Sequence, residues 1–326
     1  MAGRLPVYLS LDVGGTQTRA AVVSSDGKIL SRDAGLTPKQ GGPSAAVEAI
    51  VRTARNAVAA SGRTMASIEA VGLGAPGPLD PEAGIVFFVP NLPGWHEVPL
   101  RDLVQAGLGR PTFLVNDADA AAVGEHAFGA GRGVANLIYI TVSTGIGGGL
   151  ILGNKLYRGA GGWAGELGHM TIQENGPLCG CGNYGCWEAL ASGTALARKA
   201  VDRLWVGARS SILEEAGGDL RRVDAKAVHE AALKGDALAK DLIAETGRYL
   251  GIGLASLVNV FNPEMIILGG GLTQMGDMLL EPARSSLQMR AMEPGLRVLR
   301  LELAQLGDDA GLVGAMVVAR EGLAQQ

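Results

Sequence analysis

The 326 residues carry 28 lysines and arginines against 32 aspartates and glutamates, a formal net charge of −4, and 47% of them are hydrophobic. This balance, without any lysine- or arginine-rich run, gives no support to binding of nucleic acid or of an anionic membrane. No apolar stretch reaches the roughly 20 residues that span a bilayer, and the N-terminal apolar run is too short for a signal peptide and contains Asp12. Three cysteines, an odd number, suit a reducing compartment, so we expect a cytoplasmic protein long enough for two domains.

The chain begins with a predicted strand, a glycine turn and a returning strand. Val7 to Leu11 is apolar and stops at Asp12, V-G-G-T follows at Val13 to Thr16, and apolar residues continue to Val23. Asp26-Gly27 then predicts a hairpin to a third strand. A tight turn such as V-G-G-T exposes backbone N–H groups that suit an anionic phosphate, although an ordinary hairpin turn has the same composition.

The strand-turn-strand pattern occurs a second time. Tyr8 to Thr16 (Y-L-S-L-D-V-G-G-T) aligns with Tyr139 to Gly147 (Y-I-T-V-S-T-G-I-G), and Gly148 to Leu152 is the returning strand. An internal repeat of this kind indicates two similar domains, each offering a phosphate-binding turn to a cleft between them. The layout resembles the two-domain, actin-like (ribonuclease H-like) ATPase fold, an α/β architecture. We expect a small N-terminal domain of residues 1–117 and about 305–326, and a larger C-terminal domain of residues 118–304.

Between the two copies, the chain alternates between helix and strand patterns. Ser44 to Ala60 has helical spacing with Ser44 as a plausible N-cap. Ile68 to Gly74 predicts a strand that ends in G-A-P-G at Gly74 to Gly77, where proline excludes a helix. We interpret this segment, and N-L-P-G-W at Asn91 to Trp95, as rigid loops that face a substrate.

A third candidate position follows the strand predicted at Thr112 to Val115. This strand delivers Asn116 and Asp117 to the start of an alanine-rich helix. A carboxylate at a helix N-terminus is commonly a cap that contributes about 1 kcal/mol, a role that Asp119 could also fill. The alternative is a base at the carboxyl end of a strand, where α/β proteins place their ligands. Position alone leaves both interpretations open.

All three cysteines lie in one stretch that runs from Glu166 to Glu188. Cys179, Cys181 and Cys186, together with His169, make a complete tetrahedral zinc shell that leaves no position for water. A closed shell predicts a structural zinc that fixes the loop and the carboxylates at both of its ends. The alternative is a cluster of three buried, reduced cysteines.

Beyond this stretch the chain is mostly helical, with periodic segments at Gly193 to Val206, Ala225 to Lys234 and Ala237 to Val260. Met265 to Leu268 predicts a buried strand, and Gly269, Gly270 and Gly271 after it permit either close approach to a flat ligand or a flexible turn. Val298 to Ala304 predicts the last strand. We expect the final helix, Ala310 to Arg320, to pack on the N-terminal domain.

The order of these motifs resembles the ROK family (repressors, open reading frames and kinases), and within it the bacterial glucokinases, over essentially the whole chain. The motifs that carry the resemblance are D-V-G-G-T-Q-T-R at Asp12 to Arg19, G-A-P-G at Gly74 to Gly77, N-L-P-G-W at Asn91 to Trp95, N-D at Asn116 to Asp117, S-T-G-I-G-G-G at Ser143 to Gly149, E-L-G-H at Glu166 to His169, C-G-C-G-N-Y-G-C-W-E at Cys179 to Glu188 and G-G-G-L at Gly269 to Leu272.

The resemblance implies ATP-dependent phosphorylation of the 6-hydroxyl of glucose to glucose 6-phosphate, with Asp117 as the general base. The residues that it implies for sugar binding are Asn116, Asp117, Glu166, His169, Glu188, Asn91 and Gly77. If zinc is bound through one ring nitrogen of His169, the other nitrogen can face the sugar.

The resemblance also implies ATP, Mg²⁺ and a structural Zn²⁺ as cofactors, and it implies an oligomer, for which we expect a homodimer. Asp12 would position Mg²⁺, and the implied ATP-binding residues are Asp12, Gly14, Gly15, Thr16, Thr144, Gly145, Gly269, Gly270 and Gly271. The sequence contains no P-loop, which agrees with phosphates held on paired turns.

Three alternatives remain at this point. The same motifs tolerate another sugar (N-acetylglucosamine, N-acetylmannosamine, mannose or fructose), and inorganic polyphosphate could replace ATP as the donor. A sugar-responsive repressor of the same family is the alternative from another class. Such repressors carry a helix-turn-helix ahead of the first glycine turn, whereas only eleven residues precede Asp12 here.

Overall fold

The computed structural model describes residues 5–89, 92 and 94–325. The strands are β1 (Val7–Val13), β2 (Gln17–Ser24), β3 (Ile29–Leu36), β4 (Val71–Ala75), β5 (Leu79–Asp80), β6 (Ile85–Phe88), β7 (His96–Val98), β8 (Thr112–Asn116), β9 (Leu137–Val142), β10 (Ile146–Leu152), β11 (Lys155–Leu156), β12 (Met265–Gly269) and β13 (Arg300–Leu303). The α-helices are α1 (Gly42–Ala60), α2 (Leu100–Leu108), α3 (Asp117–Phe128), α4 (Trp187–Ala191), α5 (Gly193–Trp205), α6 (Ile212–Glu215), α7 (Ala225–Leu233), α8 (Ala237–Phe261), α9 (Asp277–Arg290), α10 (Glu293–Val298) and α11 (Ala310–Ala324).

The chain folds into two compact units. Unit 1 comprises Met1–Tyr139, Gly149–Gly165 and Ala304–Gln326, and unit 2 comprises Ile140–Gly148 and Glu166–Leu303. The bounds of these units differ from a division of the chain after residue 117, which stays a prediction. Residues 118–139, which include α3, belong to unit 1.

A five-stranded sheet with the order β3-β2-β1-β4-β8 lies in unit 1. β1 pairs antiparallel with β2. β2 pairs antiparallel with β3 through the predicted hairpin, in which Gly27 takes a positive φ of 85°. β1, β4 and β8 are parallel, and the register places Asp12 opposite Gly74 and Ala75 opposite Asn116. Because parallel strands end at the same edge of a sheet, the polar residues that follow these three strands are neighbours within unit 1.

Helix α11 covers β1 and β4 in unit 1, as predicted for the C-terminal helix. It also packs against α3, and glycines make the close approach possible. A methyl group at Gly314 would collide with the carbonyl of Ala120, and one at Gly72 would collide with the carbonyl of Ala315. The start of α3 is therefore supported by the sheet and by α11 together.

One local prediction in unit 1 was wrong. Helix α1 begins at Gly42, with Gly41 at the N-cap and Pro43 in the first turn, so Ser44 is not the cap. Proline is favoured there because the first-turn N–H groups have no partner within the helix. No element was predicted for the residues beside the two loops, where the structure has a three-stranded antiparallel sheet of order β5-β6-β7. Its strands are too short to show a clear period.

Unit 2 is built around α8, which packs on α9 through Gly247 and Gly251. Trp187 at the start of α4 is fully buried, and its Nε1 donates a hydrogen bond to the carbonyl of Tyr249 at 3.0 Å. Its ring lies against Gly253, where a methyl group would collide with it. Within the part of the chain that the structure describes, no helix has the length and apolar character needed to cross a bilayer.

Candidate active site

The first glycine turn (Asp12 to Thr16) joins β1 to β2 in unit 1. Asp12 pairs across the strands with Arg19, whose Nε donates to Asp12 Oδ2 at 2.9 Å and whose Nη2 contacts the same oxygen. The N–H of Gly14 donates to the carbonyl of Gln17 at 2.9 Å, and Thr37 Oγ1 donates to the carbonyl of Gly14 at 2.8 Å. The turn is thus held at Asp12 and at Gly14.

The second candidate group in unit 1 stands where β8 meets α3. Asn116 is the N-cap, because its Oδ1 accepts from the N–H groups of Ala118 at 2.9 Å and Asp119 at 3.2 Å. Asp117 Oδ1 accepts from Ala118 N at 2.8 Å, and Asp117 is exposed. Asn116 is therefore the N-cap, and Asp117 shares one of its N–H donors from the first turn of the helix.

Two further sugar-binding candidates follow β4. Gly77 lies beyond the end of this strand and precedes Pro78. Its position after a parallel strand puts it at the same sheet edge as Asp12 and Asn116. Asn91 lies outside the residues that the structure describes.

The predicted metal ligands come together in unit 2. The side-chain donor atoms of His169, Cys179, Cys181 and Cys186 all lie within 4.8 Å of one another. Cys179 Sγ is 3.7 Å from His169 Nδ1, and Cys181 Sγ is 3.7 Å from Cys186 Sγ. Thiolates bound tetrahedrally at about 2.3 Å from a metal would be about 3.8 Å apart. The spacing therefore suits one tetrahedral metal ion.

The environments of the three thiols differ, and despite some burial, interactions within the loop lower the pKa of Cys181. Burial raises the pKa of Cys179, and burial together with the neighbouring thiols raises the pKa of Cys186 to about 12. Such thiols ionise at neutral pH only when a cation offsets the cost, as a bound metal does. The donor set of three sulfurs and one imidazole nitrogen is one that closed zinc sites use.

Carboxylates stand on both sides of this cluster. Glu166 Oε2 lies 3.9 Å from His169 Nε2, and partial burial raises the pKa of Glu166 while His169 opposes that shift. Glu188, in the first turn of α4, accepts a hydrogen bond from Ile146 N at 2.9 Å through Oε2. Its Oε1 lies 3.8 Å from Cys179 Sγ. Glu188 thus touches both the cysteine loop and the second glycine turn.

The second glycine turn (Ser143 to Gly147) joins β9 to β10. Gly193 N donates to the carbonyl of Ser143 at 2.8 Å, and Thr194 Oγ1 donates to the carbonyl of Thr144 at 2.8 Å. The turn is therefore fixed by the start of α5. A methyl group at Gly145 would collide with the Glu188 carboxylate.

A cavity of about 570 Å³ opens beside this turn within unit 2. Thr144 and Gly271, both predicted from the sequence, line it together. Gly270 has a positive φ of 88°, and a side chain there would collide with the backbone of Val142. Gly270 therefore allows the chain after β12 to lie against the end of β9. Gly145, Gly269 and Gly270 do not line the cavity, but they adjoin the lining residues Thr144 and Gly271 in sequence.

A model of the ROK family matches residues 8–322. The chain belongs to the ROK family. A glucokinase of Streptomyces coelicolor is 42% identical over 316 residues, which cover 96% of this chain and 97% of that protein. A glucokinase of Thermotoga maritima is 37% identical over 313 residues, with the same two coverages. The structure of a ROK family glucokinase from Streptomyces griseus in complex with glucose and AMPPNP superposes with a TM-score of 0.84 at 41% identity, over 97% of this chain and 100% of that one.

The predicted family and the actin-like, ribonuclease H-like fold are therefore confirmed. In this ROK protein the predicted site residues fall into two groups. Unit 1 holds Asp12, Gly14, Gly15, Thr16, Gly77, Asn116 and Asp117. Unit 2 holds Thr144, Gly145, Glu166, His169, Cys179, Cys181, Cys186, Glu188, Gly269, Gly270 and Gly271.

Sequence reasoning missed two features of the site in this ROK chain. Lys226, His229 and Glu230 of α7 line the cavity beside the second turn. Their spacing of three and four residues places them on one helix face, which is the signal that could have found them. The motif at Asp12 to Arg19 contains Arg19 without indicating a role for it. Its bond to Asp12 follows from the strand register.

Proposed function

We propose that this ROK family chain is an ATP-dependent glucokinase that converts glucose to glucose 6-phosphate and releases ADP. The observation that carries the proposal is the similarity to glucokinases over nearly the whole length of both chains. A related ROK glucokinase was solved with glucose and AMPPNP, a sugar and a nucleotide of the proposed kind. The side chains described above have the chemistry that this reaction requires.

Asp117 would act as the general base. As the 6-oxygen of glucose attacks the γ-phosphorus of ATP, the proton of that hydroxyl passes to the Asp117 carboxylate, and the bond to the β,γ-bridging oxygen breaks to give ADP. Phosphoryl transfer depends mainly on positioning and on neutralisation of charge, so a single carboxylate suffices as base. The hydrogen bond from Ala118 N to Oδ1 supports this role by orienting the carboxylate.

Sugar binding would fall to Glu166, His169, Glu188 and Asn116, with Gly77 and Asn91 as further contacts. Because Oδ1 of Asn116 caps α3, a hydrogen bond from Asn116 to sugar would come from its Nδ2 group. Buried polar groups that each expect a hydroxyl discriminate strongly against sugars that lack one. The hydrogen bond from Ile146 N supports the proposal, since it holds one oxygen of the Glu188 carboxylate in place.

The nucleotide would occupy the cavity beside the second glycine turn. Thr144 and Gly271, which line the cavity, would contact it there, and Gly145, Gly269 and Gly270 adjoin them in the chain. Gly15 and Thr16 would contribute N–H groups to its phosphates, and Gly14, whose N–H is bonded to the carbonyl of Gln17, would hold the turn. Asp12 is suited to hold Mg²⁺, because a carboxylate is a hard oxygen donor and the bonds from Arg19 fall on one of its two oxygens. When bound, Mg²⁺ neutralises charge on the phosphates.

We propose that the metal held by the cysteine cluster is structural zinc. Three thiolates and one imidazole at this spacing form a closed tetrahedral shell. Such an ion would hold His169 and the adjoining carboxylates in place without taking part in the reaction. The proposed setting is a cytoplasmic homodimer that binds no nucleic acid, and light scattering would then give about twice the 33.4 kDa chain mass.

The test is an ADP-release assay over glucose, mannose, fructose, N-acetylglucosamine and N-acetylmannosamine, with ATP or inorganic polyphosphate as donor. We expect glucose with ATP to give the highest kcat/KM. A higher kcat/KM for an N-acetyl-hexosamine would overturn the choice of glucose and keep the kinase, whereas a dominant polyphosphate activity would overturn the donor. No turnover with any pair would favour a sugar-responsive regulator.

A further inference from the structure

Arg19 ties the first glycine turn to a second segment of unit 1. Besides its two contacts with Asp12, its Nη1 donates to the carbonyl of Asp308 at 2.9 Å. Asp308 lies in a short 3₁₀ turn, Gly307–Asp309, that leads into α11. The three guanidinium nitrogens of Arg19 are thus directed at two acceptors, one carboxylate oxygen and one backbone carbonyl.

A second arginine anchors the same 3₁₀ turn without reaching Asp12. Arg32 on β3 makes a two-pronged ion pair with Asp309, with both N···O distances at 2.7 Å. Its side chain is 56% exposed, against 36% for Arg19. The chain therefore offers two arginines that hold one turn, of which Arg19 also holds the carboxylate at the end of β1.

We propose that Arg19 is a positioning residue that orients the Asp12 carboxylate for the metal–nucleotide complex. This inference rests on the proposed function, because it requires that Asp12 meets Mg²⁺ bound to ATP. Arg19 holds Oδ2 and so fixes the rotation of the carboxylate, which leaves Oδ1 in a defined direction. A planar guanidinium achieves this with two donors on one side, whereas a lysine ammonium provides a single point contact.

The physical reason lies in the cost of ordering a side chain. An unrestrained carboxylate samples several rotamers, and binding a cation would have to select one of them. The cross-strand pair makes that selection before the ligand arrives, because the Asp12–Arg19 register is fixed by the antiparallel ladder of β1 and β2. Arg19 should therefore strengthen binding of nucleotide with Mg²⁺ and leave binding of nucleotide without metal unchanged.

The experiment compares Arg19→Gln, Arg19→Lys and the matched control Arg32→Gln with wild type. Isothermal titration calorimetry measures the Kd of AMPPNP with Mg²⁺ and with EDTA, and the ratio of the two constants reports how strongly the metal is coupled to the nucleotide. We expect Arg19→Gln to reduce this ratio about tenfold, equal to about 1.4 kcal/mol. The Kd in EDTA should stay within about twofold of wild type, a shift of about 0.4 kcal/mol.

Arg32→Gln should keep the wild-type ratio, and Arg19→Lys should fall between wild type and Arg19→Gln. Circular dichroism confirms folding, and if Arg19→Gln does not fold, the lysine variant provides the decision. An unchanged ratio in the Arg19 variants overturns the inference, as does an equal loss in Arg32→Gln, a weaker Kd in EDTA or tighter Mg²⁺-dependent binding. If wild type itself shows no gain from Mg²⁺, the proposed role of Asp12 fails instead.

Discussion

The two glycine turns align in sequence, yet the structure holds them by different means. The first ends β1 with Asp12, a charge that Arg19 compensates from the neighbouring strand. The second has the neutral Ser143 at the aligned position, and backbone and hydroxyl groups of Gly193 and Thr194 hold it in place. One turn is fixed by an ion pair and the other by the N-terminus of a helix.

The two units also differ in the chemical groups that they present. Unit 1 presents carboxylates, Asp12 and Asp117, that suit a cation and a proton. Unit 2 presents a cavity beside a neutral turn and a cysteine loop next to Glu166 and Glu188. A duplicated motif can therefore diverge in charge while keeping its shape. A change at Asp117 in unit 1 should lower turnover, and a change in the cysteine loop of unit 2 should weaken sugar binding.

The largest effect should come from Asp117→Asn, which removes the proposed base from unit 1. We expect kcat to fall about 10²- to 10⁴-fold, the usual contribution of general base catalysis, because the amide accepts no proton at neutral pH. The KM for glucose should change little. The control is Asp102→Asn, in the first turn of α2, which removes an exposed helix-terminal carboxylate elsewhere in unit 1. A kcat near that of wild type would remove Asp117 from the base role.

Loss of a proposed metal ligand should weaken the sugar binding that we assign to unit 2. Cys186→Ser removes a fully buried donor of the cluster. Elemental analysis should find one zinc per chain in wild type and much less in the variant. The KM for glucose should rise about 10- to 100-fold, the range seen when groups around a metal are lost. Chelation of wild type should reproduce the effect, and a zinc-free preparation with normal KM would refute a structural role.

A smaller effect is expected from Gly145→Ala in the second turn. The added methyl group would collide with the Glu188 carboxylate, so Glu188 or the turn must move. We expect kcat/KM for glucose to fall about tenfold, since a displacement of about 1 Å in a site can cost up to 10²-fold. Gly311→Ala is the control, because among the described residues a methyl group there meets no atom within 4 Å. Equal kinetics in the two variants would contradict the contact.

The smallest kinetic effect should follow from Trp187→Phe at the start of α4. Loss of the hydrogen bond to the carbonyl of Tyr249, and of part of the ring, should lower the free energy of unfolding by about 1–3 kcal/mol. The KM for glucose should change less than threefold, a shift of about 0.6 kcal/mol. Trp205→Phe, 79% exposed on α5, should change stability by about 0.5 kcal/mol at most. Urea unfolding measures both, and equal losses would show that the buried bond contributes nothing.

Local patterns predicted much of this chain. The strand-turn-strand repeat, the hairpin at Asp26-Gly27 and the long helix that ends before Pro263 depend on residues close together in sequence. The cysteine cluster was predictable for the same reason, since three of its four members lie within eight residues. Positions that depend on competition between neighbouring residues were harder. Asn116 and Asp117 are both good N-caps, and only the backbone geometry shows that Asn116 takes the role.

The sequence by itself determined the order of the elements, the family and which residue types stand at the strand ends, because periodicity and turn chemistry are local properties. Tertiary structure alone decided that Arg19 meets Asp12 and Asp308, that Glu188 bonds to Ile146, and that α7 lines the cavity. Apart from the pair of Asp12 and Arg19, which are seven residues apart across a hairpin, these contacts join residues far apart in the chain. Their existence depends on strand register and helix packing, which no local pattern encodes.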